Sequence, residues 1–361
     1  MARVIVGMSG GVDSAVTAYL LKAAGHDAVG VTLRTWVGSD GRESRCCEIE
    51  DARRTAWALE MPYYVQNCVA AFRERVIQPF ADDYIRGRTP NPCVVCNRDI
   101  KWALLLEAAA RMGAAYVATG HYASVVRREN GRYTVREALS AQRDQTYMLY
   151  RLTQEQLRHT LMPLGGLSKD EVRSIAARAG LPVAQKRDSQ EICFVTEGSY
   201  ADVLEEYARA PIPEPGDFVD ENGRILGRHR GITHYTVGQR RGLGVALGKP
   251  AYVTRIDEAH NTVVLGGEAS LYSRELVCDD LNWMGMAPPA AGETFRAIVK
   301  IRCRHPGTAA AIRAADDGTV QIRFDEPVRA ATPGQSAVFY DDGGCVLGGG
   351  VIRDVCGASN T

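Results

Sequence analysis

Two groups of residues in this sequence have the types and spacing needed for chemistry: a glycine-rich hexapeptide near the N-terminus and three cysteines further along. The hexapeptide, Ser9-Gly10-Gly11-Val12-Asp13-Ser14, follows an apolar run typical of a buried strand and precedes a segment with helical spacing. A strand, a glycine-rich turn and a helix N-terminus present several backbone N–H groups and the positive end of a helix dipole at one point. The pattern therefore predicts a phosphate-binding site.

The residue types within the hexapeptide suit a bound polyphosphate. Gly10 and Gly11 let the backbone approach an anion closely and adopt positive φ at little cost. Ser9 and Ser14 add hydroxyl donors, and Asp13 is placed to hold Mg²⁺ against the phosphates. An ordinary tight turn is the alternative interpretation. A Walker A loop is excluded because its Gly-x-x-x-x-Gly-Lys-[Ser/Thr] pattern is missing.

The cysteines form a Cys-x-x-Cys pair, Cys93 and Cys96, and a remote third member, Cys193. Pro90 and Pro92 restrict the backbone before the pair, which predicts a shaped loop ending ahead of a helix from about residue 100. Thiols beside a helix N-terminus and an arginine should have a lowered pKa, which favours the nucleophilic or metal-binding thiolate. The pair alone fits redox, zinc or iron–sulfur chemistry, and Cys193 alone is equally typical of a buried core.

The surrounding pattern predicts an α/β fold that would bring these residues to one edge of a sheet. Short β-like runs alternate with helical segments up to about residue 210, which indicates a parallel sheet with ligands at the carboxyl ends of its strands. The predicted strands cover 3–8, 27–33, 63–67 and 116–119, and the predicted helices cover 14–24, 49–60, 69–86 and 100–112.

A proline-rich segment over 211–216 marks a change in organisation. Beyond it helical periodicity nearly vanishes, and alternating or β-branched runs separated by glycines predict two small β domains. The predicted strands there cover 251–256, 262–265, 294–303, 320–324 and 335–340. We expect domains over 1–210, 211–274 and 275–361.

Composition restricts the class of protein. The chain has 361 residues, of which 45% are hydrophobic and 24% charged, as in a soluble globular protein. No apolar run approaches the roughly 18–20 residues that span a bilayer, and no signal-peptide pattern opens the sequence. We therefore expect a cytoplasmic protein without a membrane partner, in which the 10 irregularly spaced cysteines do not form a disulfide framework.

Charge is unevenly distributed although the formal net charge is +0. Residues 222–256 contain no Asp or Glu but carry basic residues at 224, 228, 230, 240, 241, 249 and 255. Such segregation favours a polyanionic partner such as nucleic acid, with a solvated basic face as the alternative.

The hexapeptide resembles the PP-loop of ATP pyrophosphatases, and the whole sequence resembles the bacterial tRNA-specific 2-thiouridylases. The PP-loop alone is shared with several synthetases, but the complete set of segments is not. The set runs in the family's order over 7–14, 87–92, 96–97, 118–122, 144–149, 188–194, 237–244 and 332–337.

The resemblance implies a PP-loop ATPase domain, a small central β domain and a C-terminal β-barrel-like domain. It implies a tRNA-uridine 2-sulfurtransferase that adenylates the 2-oxygen of the wobble uridine, replaces it with sulfur and releases AMP and pyrophosphate. ATP, Mg²⁺, tRNA and a persulfide donor protein, a cysteine desulfurase or a sulfur relay protein, are implied with it.

Residue roles are implied position by position. The catalytic residues would be Cys96 as the nucleophile, Cys193 as the persulfide carrier and Asp13. ATP would contact Gly7, Met8, Ser9, Gly10, Gly11, Val12, Asp13, Ser14, Leu33 and Gly120. The tRNA would contact Asn91, Pro92, Cys93, His121, Arg143, Asp144, Gln145, Arg302, Arg304 and Gln335. Taken alone, His121 is equally typical of a buried histidine satisfied by its own loop, and the two late arginines of an exposed strand face.

The source of sulfur stays open because Cys93 occupies a position where many relatives have Asp. In one route Cys193 carries a persulfide and Cys96 completes release by forming a Cys96–Cys193 disulfide. In the other, Cys93, Cys96 and Cys193 hold a 4Fe–4S cluster whose fourth iron presents sulfide, and the same residues would also suit zinc. A PP-loop amide ligase and a non-catalytic RNA-binding protein are the competing functions.

Overall fold

The computed structural model describes residues 1–37, 48–186, 193–195 and 200–356. Its first unit is built on a parallel sheet in the order β3-β2-β1-β4-β7. These strands are β1 (Arg3–Gly7), β2 (Asp27–Arg34), β3 (Tyr63–Asn67), β4 (Tyr116–Ala118) and β7 (Thr160–Leu161), and an antiparallel hairpin of β5 (Ser124–Arg127) and β6 (Tyr133–Arg136) lies beside the sheet. The order reverses direction at β1, so a crevice opens between the carboxyl ends of β1 and β4.

Helices cover the sheet. Their bounds are α1 (Val12–Ala23), α2 (Ile49–Ala58), α3 (Val69–Phe72), α4 (Gln78–Ile85), α5 (Pro92–Cys96), α6 (Ala103–Arg111), α7 (Gln154–Arg158), α8 (Lys169–Arg178) and α9 (Tyr200–Tyr207). A π-helical turn at Arg73–Ile77 joins α3 to α4, and another at Asn97–Trp102 joins α5 to α6. Among the described helices, none is long and apolar enough to cross a bilayer.

Two β units follow. The middle unit is a sheet in the order β10-β11-β8-β9, from β8 (Asp217–Asp220), β9 (Ile225–Arg228), β10 (Tyr252–Asp257) and β11 (Thr262–Gly266). The last unit is a closed barrel in the order β12-β15-β14-β13-β16-β17. Its strands are β12 (Tyr272–Trp283), β13 (Thr294–Lys300), β14 (Thr308–Ala314), β15 (Val320–Arg329), β16 (Ser336–Tyr340) and β17 (Val346–Cys356).

The hydrophobic cores show which units depend on one another. One cluster joins Ile5 and Trp102 of the α/β unit to Val338 and Tyr340 of the barrel, all at 2% exposure or less. The barrel interior has a separate cluster, and the middle unit packs around Phe218 in a third. The barrel is therefore packed against the α/β unit through a shared core, and the middle unit has a core of its own.

The α/β fold with two β units is confirmed, while several element bounds differ from the prediction. The predicted strand over 294–303 ends at Lys300, so positions 302 and 304 lie in a turn. The helix predicted from about residue 100 begins at Pro92, because Asn91 caps it. The hairpin β5–β6 and the barrel strands β12, β14 and β17 were not predicted.

Candidate active site

A cavity of about 320 Å³ lies at the carboxyl ends of β1, β2 and β4. The residues expected to bind ATP, apart from Gly10, and the three candidate sulfur-carrying cysteines line it, together with three expected tRNA contacts, Pro92, His121 and Gln145. They are Gly7, Met8, Ser9, Gly11, Val12, Asp13, Ser14, Leu33, Pro92, Cys93, Cys96, Gly120, His121, Gln145 and Cys193. Of the remaining expected site residues, Gly10 lies in the same loop. The others, Asn91, Arg143, Asp144, Arg302, Arg304 and Gln335, do not line the cavity.

The hexapeptide forms a tight loop ahead of α1. Gly10 has a φ of +79°, and a Cβ there would lie 2.4 Å from the Glu48 carbonyl oxygen, so only glycine fits. The hydroxyl of Ser14 donates to the Gly11 carbonyl at 3.0 Å and accepts from the Ser9 amide at 3.2 Å. Gly11, the N-cap of α1, provides no side chain to cap the helix. The amides at the start of α1 therefore suit an anion in the cavity.

Asp13 does not have the surroundings of a Mg²⁺ ligand. Lys169 donates to both of its carboxylate oxygens, at 2.7 and 2.9 Å, and the Tyr122 hydroxyl donates at 2.8 Å. The ammonium thus lies where a cation bound by this carboxylate would lie. Among the described residues, no group of three or more His, Cys, Asp or Glu is placed to hold a metal ion.

Lys186 is a cavity residue that the sequence patterns did not single out. Its ammonium donates to the Gly10 carbonyl at 3.0 Å and pairs with Glu48 and Asp51. Burial alone would lower the pKa of Lys186, but the hydrogen bonds to the two carboxylates raise it, so the side chain is cationic. Lys101 adds a second lysine to the lining. No short motif marks Lys186, because only the fold brings it to the loop.

The cysteine pair lies in a helix rather than in a loop. Asn91 caps α5 by accepting from the Cys93 amide at 3.2 Å, and Pro92 occupies the first helical position, where its missing N–H costs nothing. Cys93 is exposed in the first turn, whereas Cys96 is 8% exposed at the end of α5. The expected position of the pair beside a helix N-terminus is retained, although the shaped loop was wrong.

Cys193 lies in the same apolar cluster as Cys96. The next residue, Phe194, is 3% exposed and packs its ring against Phe72 and Phe80, with centroids 5.8 and 5.2 Å apart. This anchor holds Cys193 against the cluster, and both cysteines line the cavity. The remainder of the segment predicted around it, 188–192, lies outside the described residues.

Two of the expected tRNA contacts, His121 and Gln145, line the cavity, and a third, Asp144, directly precedes Gln145 in the sequence. His121 shares a hydrogen bond of 2.9 Å with the Thr119 hydroxyl, and burial lowers its pKa well below the usual value, so the ring is neutral. The Gln145 side chain accepts from the Tyr122 amide at 2.9 Å. Asp144 accepts from the Thr146 hydroxyl at 2.6 Å, and burial raises its pKa. These contacts fix the loop that carries Tyr122 to Asp13.

Three family models together match nearly all of the chain. A tRNA methyl transferase HUP domain matches residues 2–197, a tRNA methyl transferase PRC-barrel domain matches 201–267, and an aminomethyltransferase beta-barrel domain matches 273–352. A tRNA-specific 2-thiouridylase MnmA from Lachnoclostridium phytofermentans is 49% identical over 98% of this chain and 99% of the relative. One from Clostridioides difficile is 46% identical over 97% of this chain and 98% of the relative.

The chain belongs to the MnmA family of tRNA-specific 2-thiouridylases. Solved structures resemble it more remotely. The U34-tRNA thiolase NcsA from Methanococcus maripaludis is 18% identical, with a TM-score of 0.36 over 57% of this chain and 64% of that chain. Family membership rests on the full-length relatives.

The remaining expected tRNA contacts are not part of the cavity lining. Arg302 and Arg304 are exposed in the turn after β13, and Arg143 is half-buried at the end of the 3₁₀ turn Ala141–Arg143. Gln335 lies just before β16, and its amide donates to the Thr89 carbonyl at 2.7 Å. The structure therefore brings the ATP and cysteine residues together, whereas none of these four residues lines the cavity.

Proposed function

We propose that the protein replaces the 2-oxygen of the wobble uridine of tRNA with sulfur at the expense of ATP. Its full-length relatives are named for this activity. The observation that carries the proposal is one cavity that holds both an anion-binding loop and the cysteines Cys96 and Cys193. An ATP-dependent sulfur transfer needs both chemistries within reach of one bound base.

The first step makes the uracil oxygen a leaving group. The loop over 9–14 and the N-terminus of α1 hold the polyphosphate of ATP, as their amides and dipole favour. The uracil 2-oxygen attacks the α-phosphorus, and pyrophosphate leaves. Lys186, which already lies on the loop carbonyl of Gly10, and Lys101 provide positive charge for the oxygens that gain charge in this transfer.

The second step delivers sulfur. A donor protein loads Cys193 as a persulfide, whose outer sulfur attacks carbon 2 and displaces AMP. The thiolate of Cys96 then attacks the Cys193 sulfur, which breaks the S–S bond and leaves its electron pair on the thiouridine sulfur. The product is a Cys96–Cys193 disulfide, which an external thiol reduces before the next turnover. Both side chains belong to one apolar cluster, so the exchange suits the observed packing.

The alternative source of sulfur is an iron–sulfur cluster held by the three cysteines. Cys93, Cys96 and Cys193 line the same cavity, yet the described residues include no trio of ligands close enough to hold a metal ion. Loss of iron together with activity in Cys93→Ser would be the evidence for such a cluster.

Cysteine substitutions test the proposal directly. Cys96→Ser and Cys193→Ser should each abolish formation of 2-thiouridine, measured by mass spectrometry of digested tRNA, while tRNA-dependent release of pyrophosphate continues. Cys93→Ser should keep most of the activity under the persulfide route, and should lose iron and activity together if a cluster operates. Exposed Cys356 provides the matched control, since Cys356→Ser changes a thiol far from the cavity in the barrel strand β17.

Three results would contradict the proposed function. Full activity of Cys193→Ser would exclude both routes. Pyrophosphate release that does not depend on tRNA would favour an amide ligase that acts on a small molecule, and the absence of pyrophosphate release would favour a non-catalytic RNA-binding protein.

We propose that exposed arginines of both β units bind the tRNA. We also propose that the protein acts on its tRNA in the cytoplasm. Arg240 and Arg241 are exposed in the acid-free stretch of the middle unit, and Arg302 and Arg304 are exposed on the barrel. We expect the affinity for tRNA to fall linearly on a log–log plot against salt, with a slope set by the number of phosphates contacted.

Charge reversal of Arg240 and Arg241 to Glu should weaken tRNA binding and reduce that slope by about 1 per lost phosphate contact, as measured by filter binding. The affinity for ATP should not change, because these residues lie in a different unit from the cavity. Reversal of the exposed Arg313 on β14 is a control for net charge. An unchanged salt slope would make the basic stretch a solvated face.

A further inference from the structure

Four consecutive residues where the chain enters the barrel strand β16 hold the segment that carries the cysteine pair. We call Pro333, Gly334, Gln335 and Ser336 the barrel brace. The Thr89 amide donates to the Pro333 carbonyl at 2.9 Å, and the Gln335 side chain donates to the Thr89 carbonyl at 2.7 Å. Both backbone polar groups of Thr89, two residues before the helix cap Asn91, are thus bonded to the barrel.

The contact at Thr89 is close and rigid. Gly334 has a φ of +91°, and a Cβ there would lie 3.0 Å from both the Arg88 Cβ and the Thr89 nitrogen, so the brace needs glycine at this position. The backbone of Gln335 is itself fixed, because its amide donates to Thr332 at 3.1 Å and its carbonyl accepts from Ile352 at 2.8 Å. The side-chain amide of Gln335 therefore extends from a fixed backbone position in the barrel.

A second set of hydrogen bonds connects the same helix to the barrel through Tyr147 and Met148. The Tyr147 hydroxyl donates to the Ser336 carbonyl at 2.9 Å and accepts from the Ser336 amide at 3.2 Å. The next residue, Met148, accepts from the Asn91 amide on its sulfur at 3.3 Å and from the Asn97 amide on its carbonyl at 2.9 Å. Both ends of α5 are thereby connected to one barrel strand.

We propose that the barrel brace is a positioning element for Cys96, with Gln335 as its key residue. This inference rests on the proposed function, in which Cys96 must reach the Cys193 sulfur. A nucleophile misplaced by about 1 Å can lose on the order of 100-fold in rate, so a brace at both ends of a five-residue helix has a direct effect on transfer. The Gln335 side chain donates to Thr89 at 2.7 Å, and through this bond it positions the helix.

The test separates positioning from RNA binding. Gln335→Met removes the donor while keeping the length of the side chain, and Gln321→Met is the matched control, because Gln321 is exposed on the barrel strand β15. In single turnover at saturating tRNA, Gln335→Met should slow sulfur transfer by about 10- to 100-fold. The Kd for tRNA and the rate of pyrophosphate release should stay within about twofold of the wild type.

A second readout does not require the enzyme to thiolate tRNA. Alkylation of Cys96 by iodoacetamide, followed by peptide mass spectrometry, should become severalfold faster in Gln335→Met, since this thiol is only 8% exposed while the brace holds the helix. A wild type that fails to thiolate tRNA would contradict the proposed function, whereas the alkylation rates would still test the brace.

The hydroxyl of Tyr147 provides an independent variant should Gln335→Met fail to fold. Tyr147→Phe removes both bonds to Ser336 and should show the same pattern: slower transfer, faster alkylation and unchanged affinity for tRNA. Weaker tRNA binding with a normal transfer rate at saturation would overturn the proposal in favour of a direct RNA contact. Rates and alkylation equal to the wild type in both variants would also overturn it.

Discussion

At the scale of single residues, Asp13 is the side chain whose surroundings differ most from the role expected of it. It lies in the first turn of α1, where a carboxylate is favoured by the helix dipole. Its charge is balanced by Lys169, whose side chain is only 10% exposed, compared with 31% for Asp13 itself. Because Tyr122 donates to the same carboxylate, Asp13 joins α1, α8 and the loop that carries Tyr122.

The pair predicts a specific result for Lys169→Met. The variant leaves the Asp13 charge without its ammonium in a partly buried position, which should lower the free energy of unfolding by about 2 kcal/mol. The uncompensated carboxylate should also repel the polyphosphate, so the KM for ATP should rise. Urea denaturation and initial rates of pyrophosphate release at varied ATP measure the two effects.

A surface pair provides the comparison. Arg53 and Glu50 on α2 are more than half exposed, so Arg53→Met should cost no more than about 1 kcal/mol and leave the KM for ATP unchanged. Equal effects of the two substitutions would show that the Asp13–Lys169 bond contributes nothing specific. A variant of Lys169 that binds ATP more tightly would indicate that Asp13 takes a metal ion once the ammonium is gone.

Local sequence patterns could reveal residues of the site only where they lie in a continuous motif, whereas the family resemblance added isolated positions such as Leu33 and Gly120. The hexapeptide and the Cys-x-x-Cys pair belong to this class, because strand, turn and helix bring neighbours in sequence together in space. Lys169 and Lys186 could not be predicted. Lys169 bonds to Asp13, 156 residues away in the sequence, and Lys186 bonds to Gly10, 176 residues away. No local pattern encodes contacts over such separations.

At the scale of elements, the cysteine segment shows how a signal can be present and misinterpreted. Two prolines indicated a loop, but Asn91 followed by Pro92 is also a cap followed by a favoured first helical residue. The helix continues through the π turn Asn97–Trp102 into α6, so both cysteines lie in the first turns of a long helical segment. Local residue preferences fit both structures, and the contacts to Met148 and the barrel favour the helix.

The glycines in the last strand of the barrel prevented its prediction from the sequence. β17 contains three consecutive glycines, which sequence rules associate with turns. A Cβ at Gly349 would lie 2.6 Å from the Tyr150 ring, and one at Gly350 would lie 2.5 Å from Leu281. The glycines therefore mark close approach of other residues to the strand, which no single-sequence pattern distinguishes from a turn.

The turn between β13 and β14 contains a histidine that makes stability depend on pH. His305 is 8% exposed and accepts from the Gly307 amide at 3.1 Å. Burial, with a further contribution from Arg302 and Lys300, lowers its pKa to about 4. Between pH 6.5 and 4 the unfolded chain binds a proton at this position that the folded chain does not bind, so this contribution to stability is lost as the pH falls.

His305→Gln should therefore flatten the pH profile of the free energy of unfolding. Relative to its own value at pH 7.5, the wild type should lose about 1–2 kcal/mol more than the variant on acidification to pH 4. Chemical denaturation at each pH gives this difference, and the values at pH 7.5 serve as the control for lost packing. Parallel profiles would show that the histidine is protonated equally in both states.

At the scale of the whole molecule, the units differ in how far they depend on each other. The prolines at 211–215 and the loss of helical periodicity led us to expect a division there. The sequence could not predict that the barrel shares a core with the α/β unit while the middle unit does not. Ile5 and Val338 belong to one cluster although they are 333 residues apart in the sequence, and hydrophobic periodicity shows only that each strand has a buried face.

Three matched substitutions separate these relationships, since Val338, Val320 and Val263 are each 0% exposed but belong to different clusters. Each Val→Ala change removes the same two methyl groups and should cost about 2 kcal/mol where it acts, which raises amide exchange there by roughly 10- to 30-fold. Val338→Ala should accelerate exchange in both β16 and β1, because it opens the shared core. Val320→Ala should affect the barrel alone, and Val263→Ala only the middle unit, as resolved by hydrogen–deuterium exchange with peptide mass spectrometry. Unchanged protection of β1 in Val338→Ala would show that the barrel and the α/β unit unfold independently, and the brace on the cysteine helix would then rest on hydrogen bonds without support from a common core.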